Sequence, residues 1–306
     1  MVSPVAQTTV EVILNERAGD GHSQSRREAI AALFRANGCE ARITSTTESR
    51  LTDLAREKTR GPANIIVAGG GDGTIGGVAA TLIGTDKILG VLPLGTLNHF
   101  SKDLGIAQDL EAAVKTIVSG QIKRIDVGEV NGRYFLNNSS LGVYPVVVRD
   151  RENQQKHLGR GKRWAFAIAT LHLLRRYPRL ALHLTVDGKQ LSRRSPFLFV
   201  GNNEYELSGF ALGERRALNT GHLGLYVTHH VGRFDLYWLL LRAFFGRLER
   251  QRDFESFRVM EARVETSHGE LLVATDGEVT RMKSPLHYRI HHAALQVMAP
   301  NEKPEP

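Results

Sequence analysis

Residues 65–77 read Ile-Ile-Val-Ala-Gly-Gly-Gly-Asp-Gly-Thr-Ile-Gly-Gly. An apolar, β-branched run ends abruptly in glycines, so a buried strand must turn at once into the next element. Glycine lets a backbone approach phosphate oxygens closely, with its N–H groups turned inward. A helix opening just behind such a loop adds the positive end of its dipole. Asp72 is the discordant residue. A carboxylate in a phosphate-binding loop is repelled unless a cation lies between them, which points to Mg²⁺ together with a nucleotide. A plain strand-to-helix turn needs fewer glycines than stand here.

Generic nucleotide patterns fit this loop poorly. Gly71, Gly73 and Gly76 satisfy the dinucleotide fingerprint, but that fingerprint also wants an acid roughly 20 positions on. The next strand, Ile88–Leu92, runs instead into Pro93-Leu94-Gly95. The Gly-Lys-Ser/Thr signature of a P-loop is absent. A second loop, Leu92-Pro93-Leu94-Gly95-Thr96-Leu97-Asn98-His99-Phe100, follows that strand.

Taken together, Gly-Gly-Asp-Gly-Thr and Leu-Gly-Thr-x-Asn-x-Phe resemble the catalytic domain of the diacylglycerol kinase family, which includes bacterial lipid kinases, sphingosine kinases and ceramide kinases. The resemblance covers most of the chain. Asn15 to Gly19 is similar to the family's first strand-end loop. Ile125-Asp126-Val127-Gly128, with Phe135-Leu136-Asn137 and Gly142, is similar to the entry to its second domain. Val200-Gly201-Asn202 and Asp276-Gly277-Glu278 resemble two later signatures.

The resemblance implies transfer of the ATP γ-phosphoryl group to a lipid hydroxyl, chemistry that depends on positioning and charge neutralisation. By that likeness Gly69, Gly70, Gly71, Asp72 and Gly73 bind phosphates, and Thr74 caps the following helix or donates its hydroxyl. Asp72 holds the catalytic Mg²⁺, directly or through water. Thr96 and Asn98 of the second loop, with Asn15 and Thr44, match nucleotide-contacting positions. Glu278 matches the family's general base, which takes the proton of the acceptor hydroxyl. Asp276 assists with metal or orientation, and Asp72 is the rival base. Two residues depart from the family pattern. His99 stands where Asn-Asp-Phe is usual, which weakens any metal or charge role there. Asn219-Thr220-Gly221 replaces an acidic turn that holds a structural Mg²⁺ in bacterial relatives, and threonine is a poor substitute ligand.

Elsewhere the periodicities are clear. Val10–Leu14, Ala41–Thr44, Asn64–Ala68 and Ile88–Leu92 read as buried strands. They alternate with helical spacing over Ser23–Asn37, around Leu51–Ala55 and over Leu110–Val118, which predicts a parallel sheet with helices on both faces. The candidate loops then fall at the carboxyl ends of strands, where such sheets bind ligands. From Ile125 on, short alternating segments are separated by Asn131-Gly132 and Asp187-Gly188 turns, which predicts hairpins. The segments are Val127–Val130, Arg133–Asn137, Ala181–Val186, Phe197–Val200, Gly224–Val227, Arg258–Val264, Leu271–Ala274 and Leu286–His291. The expected fold class is α/β plus β-rich. An N-terminal doubly wound parallel-sheet nucleotide domain (1–125) precedes an antiparallel β-sandwich-like lipid-substrate domain (126–292), with the active site in the cleft. In the family the C-terminal segment returns to the first domain, and residues about 293–306 are free to do so here.

Composition narrows the partners. The formal charge is +8, and basic residues crowd Arg149–Arg163, Arg175–Arg179, Arg193-Arg194 and Arg242–Arg252. No helix-turn-helix, zinc-finger or RNA-recognition signature accompanies them, so nucleic acid is not an expected partner. Lys162–Tyr177 and Phe234–Leu248 set aromatic and aliphatic residues beside arginines, as an interfacial helix or a helix packed on a sheet would. No uncharged apolar stretch reaches ~18 residues, so no membrane-spanning helix is expected. One cysteine, Cys39, and a start without a signal-peptide pattern fit a cytoplasmic protein, working peripherally at the inner membrane face. The expected partners are ATP, Mg²⁺ and a lipid at a membrane surface, with a homodimer left open. Two other readings share these motifs: a soluble kinase of the NAD or sugar type, and a catalytically silent nucleotide- or lipid-binding protein.

Overall fold

The computed structural model describes residues 9–16, 23–142, 180–205, 207–208, 211–212, 215, 217–228, 254–267 and 269–301. The expected interfacial stretches Lys162–Tyr177 and Phe234–Leu248 lie outside the described residues, as does the first-loop segment from residue 17 to Gly19. In chain order the elements are β1 (Thr9–Asn15), α1 (Ser23–Ala36), β2 (Glu40–Thr46), α2 (Glu48–Thr59), β3 (Ile65–Gly70), α3 (Asp72–Leu82), β4 (Ile88–Pro93), α4 (His99–Asp103), α5 (Leu110–Ser119) and β5 (Gln121–Val130). Then come β6 (Arg133–Phe135), β7 (Asn138–Gly142), β8 (Leu180–Val186), β9 (Lys189–Ser195), β10 (Phe197–Asn202), β11 (Leu207–Ser208), β12 (Ala211–Leu212) and β13 (Leu223–Thr228). The last are β14 (Phe254–Val259), β15 (Glu261–Thr266), β16 (Glu270–Thr275), β17 (Glu278–Lys283) and β18 (Leu286–Ala299). The chain divides into two compact units, Met1–Asp126 with Ala293–Pro306, and Val127–His292.

The first unit is a parallel sheet in the order β2-β1-β3-β4-β18. Its central strands are apolar along their length because both faces are covered. Val10, Val12, Ile13, Ile66, Val67, Leu89 and Val91 are all buried. The helices group as α1 with α5 and α2 with α3, the arrangement of a doubly wound sheet. Local signals set their ends. Gly38, at φ +73°, closes α1, and the Cys39 N–H returns to the Phe34 carbonyl. The Asp109 carboxylate accepts from the Ala112 N–H at 2.8 Å and opens α5. The fifth strand comes from the far end of the sequence, the C-terminal part of β18, where Gln296 and Val297 pair with Ile88 and Leu89.

The second unit is a sandwich of antiparallel sheets. One has the order β18-β15-β8-β9, with β5 and β6 attached through β18, and the other β14-β13-β10-β7-β16-β17. Leu184, Val264 and Tyr288 from the first meet Val200, Leu225 and Val273 from the second in one core. The hairpin turns expected at Asn131-Gly132 and Asp187-Gly188 form, with φ of 46° and 82° and of 45° and 82°. One expectation is corrected. Arg258–Val264 is not a single strand: the chain leaves one sheet at Val259 and enters the other at Glu261, with Met260 at the corner, 60% exposed. The inward phase slips by one residue there, from Phe257 and Val259 to Ala262 and Val264, but apolar Met260 stands in step with Ala262 and Val264, so periodicity alone sees no break. Strands β7, β9 and β17 have no apolar alternation to announce them. β7 is central yet mostly small and polar, with Leu141 its one large apolar residue, while β9 and β17 are sheet edges carrying charges on their open sides.

Asp126 is fully buried in the first unit and accepts the Ala293 N–H at 2.8 Å, where Ala293 takes φ +50°. Asp126→Ala leaves that amide without its charged acceptor. The substitution is expected to lower the unfolding free energy by about 1–3 kcal/mol in urea denaturation.

Candidate active site

The glycine run is tighter than its composition suggests. Gly69 and Gly70 still belong to β3, paired with Leu92 and Pro93 of β4. They are glycines because a Cβ at Gly69 would lie 2.2 Å from the Leu14 side chain, and one at Gly70 2.5 Å from the Thr74 hydroxyl. The turn itself is Gly71 alone, and α3 begins at Asp72. The first intrahelical bond runs from the Ile75 N–H to the Gly71 carbonyl. The amides of Asp72, Gly73 and Thr74 are therefore the helix-opening donors, at the positive end of the dipole.

Asp72 is not directed at its own helix. Its carboxylate accepts the His99 N–H (3.1 Å to Oδ2) and the Phe100 N–H (3.1 Å to Oδ1), so it caps α4 in the second loop. The two loops also touch directly, since a Cβ on Gly95 would lie 2.5 Å from the Gly71 Cα. Asn98 adopts φ +50° and turns inward. Its Oδ1 accepts the Gly95 N–H at 3.0 Å, and its Nδ2 donates to the Pro93 and Gly95 carbonyls and to Gln108. That makes Asn98 the brace of the loop, a role sequence reading did not foresee. Thr96, Leu97 and His99 are left exposed on the loop's outer side.

Asn15 and Thr74 are brought together: Asn15 Nδ2 donates to Thr74 Oγ1 at 3.0 Å. Thr44 lies two residues short of the end of β2, beside Ile13, whereas Thr46 lies beside Asn15. Thr46 is thus the threonine at the strand's carboxyl end. The register that places it there is a property of strand pairing and left no mark in the sequence. A carboxylate offers about four lone-pair positions, and the two amides leave Asp72 room for a cation. Among the described residues no group of three or more His, Cys, Asp or Glu side chains could hold a metal. Asp72 with nucleotide phosphates and water nevertheless fits Mg²⁺, which is commonly held by one or two carboxylates plus phosphate oxygens.

In the second unit, Asp276 and Glu278 stand on the hairpin turn between β16 and β17, with φ +48° at Asp276 and +87° at Gly277. Gly277 and Glu278 are exposed, but the Asp276 carboxylate points inward. It accepts the amides of Leu136, Asn137 and Asn138 at 2.7, 2.8 and 3.0 Å. Burial raises its pKa, while the three donors and Arg215 pull the other way. Arg215, 4% exposed, donates to the Leu136 carbonyl at 2.6 Å, the Asn202 carbonyl at 3.0 Å and Asn137 Oδ1 at 2.9 Å. Asp276 therefore anchors the backbone entering β7, and Arg215 was missed because a lone arginine in a basic chain carries no signal. Glu278, by contrast, is about half-exposed and paired with Arg133. The Thr220 hydroxyl, in the Asn219-Thr220-Gly221 turn, accepts from Asn203 Nδ2 at 2.9 Å.

A doubly wound nucleotide unit with this pair of loops, followed by a β-sandwich, defines a class of ATP-dependent lipid kinases. Residues 9–130 match the diacylglycerol kinase catalytic domain, and residues 140–299 match the YegS C-terminal NAD kinase beta sandwich-like domain. The chain belongs to this diacylglycerol kinase-like family. It is 27% identical over 300 residues to the diacylglycerol kinase of Bacillus subtilis (strain 168), covering 96% of this chain and 97% of that one. It is 37% identical over 141 residues to a probable lipid kinase YegS-like of Citrobacter koseri, covering 44% of this chain and 45% of that one. The crystal structure of a diacylglycerol kinase from Bacillus anthracis str. Sterne superposes with a TM-score of 0.70 at 21% identity, over 95% of this chain and 97% of that one. At that identity the likeness is one of fold.

Two outcomes follow from the geometry. Gly95→Ala forces the two loops apart at Gly71, and is expected to abolish the thermal stabilisation that ATP confers while the circular dichroism spectrum is kept. Asp276→Asn presents an amide to three backbone donors, and is expected to cost about 1–3 kcal/mol in chemical denaturation.

Proposed function

We propose that this protein transfers the γ-phosphoryl group of ATP to the free hydroxyl of diacylglycerol or a closely related lipid, at the cytoplasmic surface of a membrane. One observation carries the nucleotide half of this reading: the Asp72 carboxylate joins the turn at Gly71 to the second loop at His99 and Phe100. The amides of the first turn of α3 and the carboxylate of Asp72 thereby share one corner of the sheet. There the amides bind phosphate oxygens, and Asp72 would hold Mg²⁺. When bound, the metal neutralises charge developing on the phosphate oxygens. Asn15 orients Thr74 from the neighbouring strand end, and exposed Thr96 contacts the nucleotide from the second loop. The name of the Bacillus subtilis relative supports diacylglycerol as the acceptor.

Glu278 is the general base. It is half-exposed, unlike Asp276, whose oxygens are taken up by backbone amides. Glu278 takes the acceptor proton as the hydroxyl oxygen bonds to the γ-phosphorus and ADP leaves. No described helix is long and apolar enough to cross a membrane. The acceptor is met at the bilayer surface, where the chain's basic excess, a formal +8, favours anionic lipid.

The test is transfer of labelled γ-phosphate from ATP to a lipid panel in mixed micelles, comprising diacylglycerol, monoacylglycerol, sphingosine, ceramide and phosphatidylglycerol. Labelled diacylglycerol is the expected product, lost on chelation of Mg²⁺. Asp72→Asn and Glu278→Gln are expected to lower kcat by about 10²–10⁴-fold, the usual scale for a lost general base. Glu278→Gln should leave ATP binding unchanged. ATP binding without a labelled lipid would sink the reading; label appearing on NAD would then mark a soluble kinase.

A further inference from the structure

The hairpin that carries Arg133 is fastened far more firmly than a surface turn requires. Asn131, at its tip, donates through Nδ2 to the Lys283 and Pro285 carbonyls at 3.3 and 3.2 Å. Its Oδ1 accepts the His287 N–H at 2.7 Å, and its own N–H donates to the His287 carbonyl at 3.1 Å. The next residue, Gly132, donates its N–H to Glu129 Oε1 at 3.0 Å. Glu129 Oε2 meets His291 Nε2 at 2.5 Å, and the Tyr134 ring stands edge-on to His291 at 5.5 Å. The tip of the β5–β6 hairpin is thus tied to the connection leaving β17, and its flank to β18. From that platform the Arg133 guanidinium donates from Nη2 to Glu278 Oε2, across 145 residues of sequence.

We propose that Arg133 is the positioning residue for Glu278, an inference resting on the reading of Glu278 as general base. Stability does not account for the contact. Side-chain exposures of 35% for Arg133 and 51% for Glu278 make this an exposed pair, a kind that contributes little to folding. Function accounts for it better. A glutamate at a strand end has several torsions to order before it can meet a hydroxyl. The guanidinium holds Oε2 in one place, and Oε1 is left to take the proton. In the step itself, the proton passes from the acceptor hydroxyl to Oε1 while the lipid oxygen bonds to the γ-phosphorus. The bond from that phosphorus to the β,γ-bridging oxygen breaks, and ADP carries away the electron pair. Arg133 holds the carboxylate's other oxygen throughout and never touches substrate.

The test compares Arg133→Met, Arg133→Lys, Arg133→Ala, Glu278→Gln and the Arg133→Met/Glu278→Gln double variant. Each is measured by steady-state kinetics with diacylglycerol micelles and by thermal unfolding. Arg133→Met should lower kcat by roughly 10–100-fold, below the full cost of losing a base. The KM for ATP and the unfolding midpoint should stay at wild-type values. Millimolar guanidinium should restore part of the kcat of Arg133→Ala and leave Glu278→Gln unaffected. The double variant should be no slower than Glu278→Gln, because the two residues act as a unit. An inactive Glu278→Gln beside a wild-type kcat for Arg133→Met overturns the positioning role and leaves the base reading standing. So does a loss in Arg133→Met matched by a fall in its unfolding midpoint and without guanidinium rescue in Arg133→Ala. A Glu278→Gln variant with wild-type kcat removes the base reading itself.

Discussion

The nucleotide unit depends on one carboxylate that serves a helix other than its own. Asp72 sits at the first position of α3 yet caps α4, through the amides of His99 and Phe100. That cross-bond lets two loops from adjacent strands behave as one body. At the Gly71–Gly95 approach no side chain lies between the two backbones, and the Asp72 bonds act beside the Leu94 N–H to Gly70 carbonyl bond in setting their spacing. Asn98 completes the assembly from inside the second loop, in a left-handed conformation that asparagine tolerates better than most residues. Charged hydrogen bonds of this kind are stronger than neutral ones, so a half-exposed loop pair can remain rigid without a hydrophobic core of its own.

The second unit handles charge differently. Asp276 and Arg215 are taken out of water, and both are hydrogen-bonded there: the carboxylate to three amides, the guanidinium to two carbonyls and an amide oxygen. A buried charge is tolerated only when its hydrogen-bonding capacity is met in this way. The result is a fixed entry into β7 and a fixed turn from which Glu278 projects. Two acids two residues apart in one turn therefore have opposite environments: the inner one is held by backbone amides and the outer one is half open to solvent.

Much of this was legible beforehand. The strand–helix alternation of the first unit and the hairpin turns at Asn131-Gly132 and Asp187-Gly188 follow from periodicity and glycine chemistry, which act over a few residues. Strand β7 was not legible, because its burial comes from β10 and β16 on either side and its own residues, Leu141 apart, are small and polar. The break at Met260 was hidden because this exposed residue is apolar and in step with Ala262 and Val264, which masks the one-residue slip in phase. In the site, the motif residues were recognisable but their partners were not. Thr46 lies beside Asn15 through strand register, and Arg215 meets Asn137 only when strands far apart in sequence pair.

The sequence by itself determined the class of fold, the two loops and the acids they carry, since local propensities and residue chemistry are encoded where they act. Tertiary structure alone decided what each acid does. Whether a carboxylate caps a neighbouring helix, anchors a buried turn or stands open to solvent depends on which amides and cations the fold brings within about 3 Å of it. Those neighbours lie 27 residues away for Asp72 and His99, and 145 away for Glu278 and Arg133. At such separations the pairing is a consequence of packing and register, which no short stretch of sequence contains.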